Sequence, residues 1–334
     1  MNWIKNVVLV FGSVLFAFAI GEVATRALVY FEIMDQPGSK ILATGSEQLE
    51  SDKYNAKQRQ SSNPILASEY DPGDPNVNSL GLRGKETTIE KSEDVYRIAL
   101  IGDSFAYGFS VALSDIFATR VERRLNENSH NKRYEVLNFG RAGYGTVQQT
   151  ELYRTYVNQF EPDEVLLCYV LNDVTGIKYL AEIFKADVLF KRTIMKLSQT
   201  SQFVTWIYIA YQRVLQNYVM KGIWEQMYEE TSEGFLNVKR AMAEISDMAG
   251  QDGVKIRAVI FPVLGADSEN YPYAVVHKVI KEAFLENKIV TRDLLPIYQQ
   301  YPDWSQLTVS QEDQHPNAKG HDIATTAIVD FLTN

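Results

Sequence analysis

From residue 97 onwards, short apolar runs alternate with longer stretches in which apolar side chains recur every three or four positions. The short runs predict buried strands at 97–101, 134–139, 164–171, 254–262 and 288–291. The longer stretches predict helices at 116–126, 147–160, 235–249, 273–286 and 317–332. This alternation predicts an α/β fold with a doubly wound, mainly parallel five-stranded sheet between helices.

The first 32 residues follow a different pattern. An uncharged apolar run extends from Val7 to Ile20, and Lys5 precedes it. A bilayer span needs about 20 predominantly apolar residues, and Trp3 and Ile4 lengthen this run towards that size. We therefore predict an N-terminal transmembrane helix within a membrane anchor at residues 1–32.

Two other interpretations of this segment remain open. Ala17-Phe18-Ala19 resembles the cleavage site of a signal peptide, and a buried helix of a soluble domain is the third possibility. We favour an uncleaved signal-anchor because the Ala-Phe-Ala triplet lies inside the apolar run. Lys5 precedes the span and mostly acidic residues follow it, so the positive-inside rule predicts a cytoplasmic N-terminus.

Between the anchor and the first strand, residues 33–93 are polar and lack steady periodicity. This composition predicts a linker and an irregular approach segment, in which NSLGLRG (78–84) is the part expected to pack on the domain. Residues 94–334 then form the main domain, which a helical insertion interrupts at about 176–232.

The insertion contains a helical stretch that is dense in aromatic residues. The simplest interpretation is a helix packed on the domain. The alternatives are a lid or wall of a substrate site and a surface that lies on a membrane, because an apolar aromatic face suits either. The aromatic residues concerned are Trp206, Tyr208, Tyr211 and Trp224.

Charge and cysteine content narrow the function classes. The chain has 33 Lys+Arg against 42 Asp+Glu, a net charge of -9, and no basic stripe, which argues against a nucleic-acid partner. Cys168 is the only cysteine, so an intrachain disulfide is excluded, and its apolar surroundings indicate a buried, inert thiol. The turn after the first strand lacks both G-x-G-x-x-G and a P-loop lysine, which disfavours nucleotide binding.

Candidate chemistry follows the predicted strands. The first strand runs into Gly102-Asp103-Ser104, Gly143 follows the second, Asn172 follows the third, and His315 precedes the last helix. Taken singly, each is explained as a helix cap or a turn residue. In a doubly wound sheet they meet at one edge, where a hydroxyl, an imidazole base and N–H donors together suit acyl transfer.

At these residues the sequence resembles the SGNH hydrolases, also called the GDSL esterase/lipase family, over about 97–334 apart from the insertion. The resemblance implies a flavodoxin-like SGNH fold with Ser104 as nucleophile and His315 as base. It also implies an oxyanion hole made by the backbone N–H groups of Ser104 and Gly143 and by the Asn172 side chain. No metal or organic cofactor is implied.

The triad acid departs from the family pattern. The usual position, three residues before the histidine, is held by Glu312, whereas Asp313 lies two before it. We predict Asp313 as the acid and keep Glu312 as the alternative; a Ser-His dyad that relies on a backbone carbonyl is also open. A further departure is Val170-Leu171 before Asn172, where family members often carry a glycine.

The motifs NSLGLRG and GDSFAYG also resemble a membrane-anchored bacterial subgroup of this family. This resemblance implies a single-pass protein of the bacterial inner membrane whose catalytic domain is periplasmic or extracellular. The expected function is a serine esterase acting on O-acyl, chiefly O-acetyl, esters of an extracytoplasmic glycan. The alternatives are an O-acetyltransferase of the same fold, a lipid or lysophospholipid esterase, and an inactive membrane-tethered glycan-binding or assembly protein.

Overall fold

The computed structural model describes residues 2–31, 52–129, 132–174, 197, 200–310 and 313–334. Two short strands, β1 (Gln58–Gln60) and β2 (Ser68–Tyr70), pair antiparallel ahead of the main sheet. The main sheet contains β3 (Val95–Gly102), β4 (Arg133–Asn138), β5 (Glu164–Tyr169), β6 (Lys255–Ile260) and β7 (Val290–Asp293).

All neighbouring strands of the main sheet are parallel, in the lateral order β4-β3-β5-β6-β7. The predicted fold class, a doubly wound parallel five-stranded sheet between helices, is confirmed. The order reverses between β3 and β5, and in open parallel sheets a ligand crevice forms beyond the carboxyl ends of the strands at such a point. Ser104 follows β3 and Asn172 follows β5 along the chain.

Helices cover both faces of this sheet and also precede it. Their bounds are α1 (Asn2–Tyr30), α2 (Ser104–Tyr107), α3 (Phe117–Asn128), α4 (Thr146–Thr155), α5 (Gln202–Val214), α6 (Lys221–Met227), α7 (Glu233–Gln251), α8 (Ala274–Glu286), α9 (Leu295–Tyr298) and α10 (Ala318–Thr333).

The sequence patterns explain these elements. Every residue of β5 is buried, as the apolar run that follows Glu164 predicts for a strand covered on both faces. In α3, the buried side chains Phe117, Val121 and Leu125 recur at helical spacing. Asn317 caps α10, since its side chain accepts hydrogen bonds from the Lys319 and Gly320 N–H groups.

Two predicted helices are interrupted. The helix expected over 147–160 ends with α4, and a 3-10 turn (Val157–Phe160) follows, which buries both of its terminal side chains. In the insertion, a π-helical turn (Leu215–Met220) joins α5 to α6. Most of the insertion before α5 lies outside the described residues.

The approach segment packs closely on the main domain from Asp52 onwards. Leu82 and Arg83 of NSLGLRG are buried. The rings of Tyr107 and Tyr70 pack together with their centroids 4.7 Å apart. The Arg83 guanidinium carbon lies 5.0 Å from the centre of the Tyr107 ring, and that of Arg141 lies 4.9 Å from the centre of the Tyr70 ring. Two buried guanidinium groups therefore stabilise an aromatic pair that joins this segment to α2, and one of the two, Arg141, comes from the loop after β4.

The N-terminal helix contacts the insertion. Within α1, Gly12–Tyr30 is long and apolar enough to cross a membrane, and little of it is buried in the protein. The Glu22 carboxylate accepts hydrogen bonds from the Ser201 hydroxyl and the Phe203 N–H, so it caps the start of α5. The Phe18 and Phe203 rings pack edge to face, 5.6 Å apart.

Candidate active site

Ser104 is the first residue of α2, directly beyond the end of β3. The Asp103 carboxylate caps α2 by accepting the Phe105 N–H at 2.8 Å. The turn is tight because a Cβ atom on Gly102 would lie 2.7 Å from Ala106 Cβ, and one on Gly140 would lie 2.4 Å from the Tyr107 nitrogen. Only glycine at these two positions allows β3 and the loop after β4 to approach α2 so closely.

His315 lies in the loop before α10, and its two ring nitrogens contact a serine and a carboxylate. Its Nε2 atom is 2.8 Å from Ser104 Oγ, and its Nδ1 atom is 2.5 Å from Asp313 Oδ1. A carboxylate can only accept, so Nδ1 carries the proton and Nε2 is left to accept the Ser104 hydroxyl proton. The rings of Phe105 and Phe109 lie 5.5 and 4.9 Å from the imidazole.

Asp313 is buried, and both of its carboxylate oxygens have partners. Oδ1 accepts the His315 backbone N–H at 3.1 Å as well as the imidazole, and Oδ2 accepts the Ser110 hydroxyl at 2.9 Å. Burial alone would raise the pKa of Asp313, but the hydrogen bonds and charge of His315 and the hydrogen bond of Ser110 lower it below its ordinary value. Asp313 is therefore a carboxylate at neutral pH. Glu312, the alternative acid, lies outside the described residues.

The predicted oxyanion donors come from the loops that flank Ser104. Asn172 lies in the turn Leu171–Val174 after β5, and its Nδ2 atom donates to Asp103 Oδ2 at 3.0 Å. This bond uses one of the two amide protons, so the second is available to a substrate oxygen. Within the described part of the chain, the buried Asn172 Oδ1 atom has no hydrogen-bond partner.

Gly143 adopts φ +83°, in the left-handed region that favours glycine. The residue before it is held on both sides: the Ala142 N–H donates to the Tyr70 hydroxyl at 3.0 Å, and the Ala142 carbonyl accepts from Gln58 Nε2 at 3.1 Å. Strands β1 and β2 therefore fix the conformation of the loop that carries this candidate donor.

Two further carboxyl groups lie beneath the site. Burial raises the pKa of Asp103, although hydrogen bonds from Asn172 and Phe105 oppose the shift. Burial and the nearby Asp103 raise the pKa of Asp173, which accepts a hydrogen bond from Gln149. Ser104 Oγ lies 3.3 Å from Asp103 Oδ2, farther than from the imidazole.

Other chemistry-bearing side chains serve the core. Cys168 is fully buried, and burial raises the pKa of its thiol well above the ordinary value. His321, in the same HPNAKGH motif as His315, stacks on Phe117, and burial lowers its pKa to about 3. It is neutral at physiological pH and accepts the Phe117 N–H, so its role is structural.

The sequence-predicted residues Ser104, His315 and Asp313 thus form one hydrogen-bonded series, and Asn172 and Gly143 lie on the adjoining loops. Sequence reasoning missed Ser110, whose hydroxyl donates to Asp313, and Asn55, whose side chain donates to that hydroxyl. The signal available for them was weak, because Asn55 lies in a polar segment without periodicity and Ser110 in an unremarkable turn.

Comparisons with known proteins identify the family of the chain. Residues 100–323 match the GDSL-like Lipase/Acylhydrolase family. No curated protein sequence matches the chain.

Similar solved structures are TesA, the acetylxylan esterase Axe2 from Geobacillus stearothermophilus, and a lipase/acylhydrolase from Enterococcus faecalis. TesA has 10% identity, with 70% of this chain and 95% of TesA covered, at a TM-score of 0.42. Axe2 has 15% identity, with 73% of this chain and 95% of Axe2 covered, at a TM-score of 0.44. The E. faecalis protein has 13% identity, with 71% of this chain and 94% of that protein covered, at a TM-score of 0.42. Likenesses this distant do not bear on the substrate.

Proposed function

Because the chain belongs to the GDSL-like Lipase/Acylhydrolase family and is an ester-bond hydrolase, we propose that it is a serine esterase that removes O-acyl groups through an acyl-serine intermediate. The observation that carries this proposal is the hydrogen-bonded series from Asp313 through His315 to Ser104. A serine so arranged has a general base within reach and a third group that orients that base.

In this mechanism, His315 Nε2 takes the proton from Ser104 as the hydroxyl oxygen attacks the ester carbonyl carbon. The Asp313 carboxylate stabilises the imidazolium that forms, and it stays ionised because its pKa is low. Collapse of the tetrahedral intermediate breaks the carbon–oxygen bond of the ester, and His315 protonates the departing alcohol. Water, deprotonated by His315, then attacks the acyl-serine and releases the carboxylic acid.

The negative charge that develops on the carbonyl oxygen needs donors. In the proposal, the Ser104 and Gly143 N–H groups and the second amide proton of Asn172 supply them. Asp103 supports this arrangement, because its hydrogen bond with Nδ2 fixes the orientation of the Asn172 amide before substrate binds. Donors that are already oriented need no reorganisation during the reaction.

The acyl group we propose is acetyl, and the acceptor an extracytoplasmic glycan. An anchor formed by α1 would keep the site close to a membrane, where a nascent surface polysaccharide would be encountered. Release of acetate from O-acetylated oligosaccharides, set against turnover of lysophospholipids, tests this choice. Transfer of acetyl to an added sugar hydroxyl would indicate an O-acetyltransferase instead.

The location we propose is a single-pass anchor in a bacterial inner membrane, with the N-terminus in the cytoplasm and the main domain outside. The apolar length of Gly12–Tyr30 supports it. Trp206 and Tyr211 of α5 are exposed, whereas Tyr208 and Trp224 are buried, so only the first two are available to a bilayer. Cysteine-accessibility labelling in intact cells and spheroplasts, with single cysteines placed in a Cys168→Ala background, tests the orientation.

The primary experiment uses the full chain in detergent micelles. We expect hydrolysis of para-nitrophenyl acetate and covalent labelling by a fluorophosphonate, and both should disappear in Ser104→Ala. The matched control is Ser92→Ala, which removes a hydroxyl from an exposed serine and should change neither signal. A Ser104→Ala variant that keeps wild-type activity would refute the proposal, and a folded wild-type protein that neither reacts nor labels would favour the binding or assembly role.

A further inference from the structure

We propose that Asn55 and Ser110 are positioning residues that orient the Asp313 carboxylate towards His315, so that part of the approach segment belongs to the catalytic machinery. The inference rests on the proposed function, because positioning matters to rate only if Asp313 supports a catalytic base. It adds two residues that lie outside the Ser-His-Asp series and contact neither the serine nor the imidazole.

The Ser110 hydroxyl lies between the Asp313 carboxylate and the Asn55 side chain. Its oxygen lies 2.9 Å from Asp313 Oδ2 and 3.3 Å from Asn55 Nδ2. Ser110 is buried, so water does not compete freely for these positions.

The direction of each bond follows from hydrogen-bonding capacity. A serine hydroxyl has one proton to donate and two lone pairs. The NH₂ group of the Asn55 side chain can only donate, so it points at a lone pair of the hydroxyl oxygen. The single hydroxyl proton is therefore left for Asp313 Oδ2, which as a carboxylate oxygen can only accept.

The orientation of the Asn55 amide is fixed in the same way. The Ser110 backbone N–H donates to Asn55 Oδ1 at 2.7 Å, so the oxygen of the amide must face Ser110 N and the NH₂ group must face the hydroxyl. Asn55 and Ser110 thus exchange two hydrogen bonds, and only one proton arrangement satisfies them. Asp313 is held through Oδ2 by this pair while Oδ1 faces the imidazole.

Asn55 is itself held in place by the main domain. The Tyr107 hydroxyl donates to the Tyr54 carbonyl at 3.1 Å and accepts the Ala56 N–H at 2.9 Å, which pins the residues on both sides of Asn55. Tyr107 belongs to α2, the helix that begins with Ser104. The approach segment is therefore tied to the nucleophile helix as well as to the triad acid.

The backbone of Ser110 provides a sharp test. Its φ is +64°, in the left-handed region, where a residue with a Cβ atom is strained and glycine is not. Ser110→Gly removes the hydroxyl and relieves this strain, so the substitution tests the hydroxyl without disturbing the turn. If the serine had no positioning role, Ser110→Gly would be active and at least as stable as the wild type.

We expect Ser110→Gly in the full chain to lower kcat by roughly 10- to 100-fold, the equivalent of one hydrogen bond to a charged group, with little change in KM. The midpoint of thermal unfolding should not fall. The rate of fluorophosphonate labelling should decrease in parallel with kcat, because both depend on activation of Ser104.

Asn55 offers a matched pair of variants. Asn55→Asp keeps the size of the side chain and the acceptor for Ser110 N–H, but it presents an acceptor where the hydroxyl requires a donor, so it draws the hydroxyl proton away from Asp313. Asn55→Ala leaves that proton free for Asp313. We therefore expect kcat to rank wild type, Asn55→Ala, Asn55→Asp, whereas a purely structural role for Asn55 predicts that the isosteric aspartate is the better tolerated variant.

A spectroscopic measurement separates this inference from the proposed function. In full-length protein labelled at histidine with ¹⁵N, the Nδ1–H proton of His315 should resonate far downfield in the wild type, with His315→Gln providing the assignment. The resonance should weaken or shift in Ser110→Gly and Asn55→Asp whether or not the protein hydrolyses esters. An unchanged resonance together with wild-type kcat in both variants would overturn the proposal, and loss of Ser104 dependence would overturn only the esterase mechanism.

Discussion

Two histidine–aspartate pairs in this chain differ in what faces the second ring nitrogen. His315 contacts Asp313 through Nδ1 and Ser104 through Nε2. His277 contacts Asp293 through Nδ1 at 2.9 Å and the Tyr271 hydroxyl through Nε2 at 3.1 Å. In each pair, hydrogen bonds and the histidine charge outweigh burial and lower the pKa of the aspartate.

Their surroundings separate the two pairs. The His277 side chain is 2% exposed, while that of His315 is 26% exposed. Burial raises the pKa of Tyr271 well above its ordinary value, so its hydroxyl stays protonated and acts as a structural partner. A histidine–aspartate pair is thus a candidate catalytic pair only where it meets a nucleophile at an accessible sheet edge.

The largest expected effect is on activity, which should depend on His315 and not on His277. His315→Gln should lower kcat/KM for para-nitrophenyl acetate by about 10⁴-fold or more, because the serine loses its base. The same substitution at His277 should leave kcat/KM of the folded protein near the wild-type value. Steady-state kinetics on both variants, with folding checked by circular dichroism, makes the comparison, and equal losses in the two would contradict it.

Asn172→Ala tests the oxyanion donors of the site that contains His315. We expect kcat to fall about 10²- to 10³-fold with little change in KM, because the amide acts on charge that develops only in the transition state. Asn317→Ala is a matched asparagine control, since it removes the α10 cap and should lower thermal stability before it lowers kcat. A rise in KM alone for Asn172→Ala would instead indicate ground-state binding.

The next prediction concerns stability, for which we expect the His277 pair to matter more than the His315 pair. His277→Ala leaves the partly buried Asp293 carboxylate without the hydrogen bond of the imidazole, and we expect a loss of roughly 3 kcal/mol in the free energy of unfolding. His315→Ala should cost less, because the imidazole itself is partly exposed and Asp313 keeps hydrogen bonds from the Ser110 hydroxyl and from the backbone N–H of residue 315. Chemical denaturation of both variants measures the difference, and a larger loss for His315→Ala would show that burial does not distinguish the pairs.

The smallest effect is a pH dependence that the pairs share. A carboxyl group whose folded-state pKa lies below its unfolded value stabilises the fold fully above that unfolded value, and the contribution is lost as pH falls through the folded pKa. Asp293 and Asp313 should therefore make the protein progressively less stable below about pH 4, near the unfolded aspartate value. Thermal unfolding of Asp293→Asn across this range should show a shallower decline than the wild type, and an identical slope would exclude a contribution from Asp293.

Topology explains why the main residues could be predicted from the sequence. Strand periodicity located the ends of β3 and β5, and parallel sheets gather those ends at one edge, which brings Ser104 and Asn172 together. His315 could be assigned to the same edge because its motif directly precedes the last helix predicted from the sequence. The choice of Asp313 rested on the Asp-x-His spacing that some members of the family show, and the structure brings its carboxylate to the imidazole.

Contacts made by irregular backbone could not be predicted in this way. Asn55 lies in a polar segment with no periodicity, so nothing in its surroundings in the sequence indicates a partner 55 residues away. The left-handed conformation of Ser110 is also invisible in sequence, since serine seldom adopts it. The break at Val157–Phe160 reflects burial of two side chains in the core, which overrides local helix propensity.

The separation of Ser104 and His315 along the chain has a consequence for biosynthesis. The two residues are 211 positions apart, so at roughly 5–20 residues per second a ribosome needs about 10–40 seconds to add the base after the nucleophile. During that interval β3 can form while the serine still lacks its proton acceptor. In the proposed mechanism, a nascent chain therefore cannot attack cellular esters, and the site would become competent only when the segment before α10 has docked.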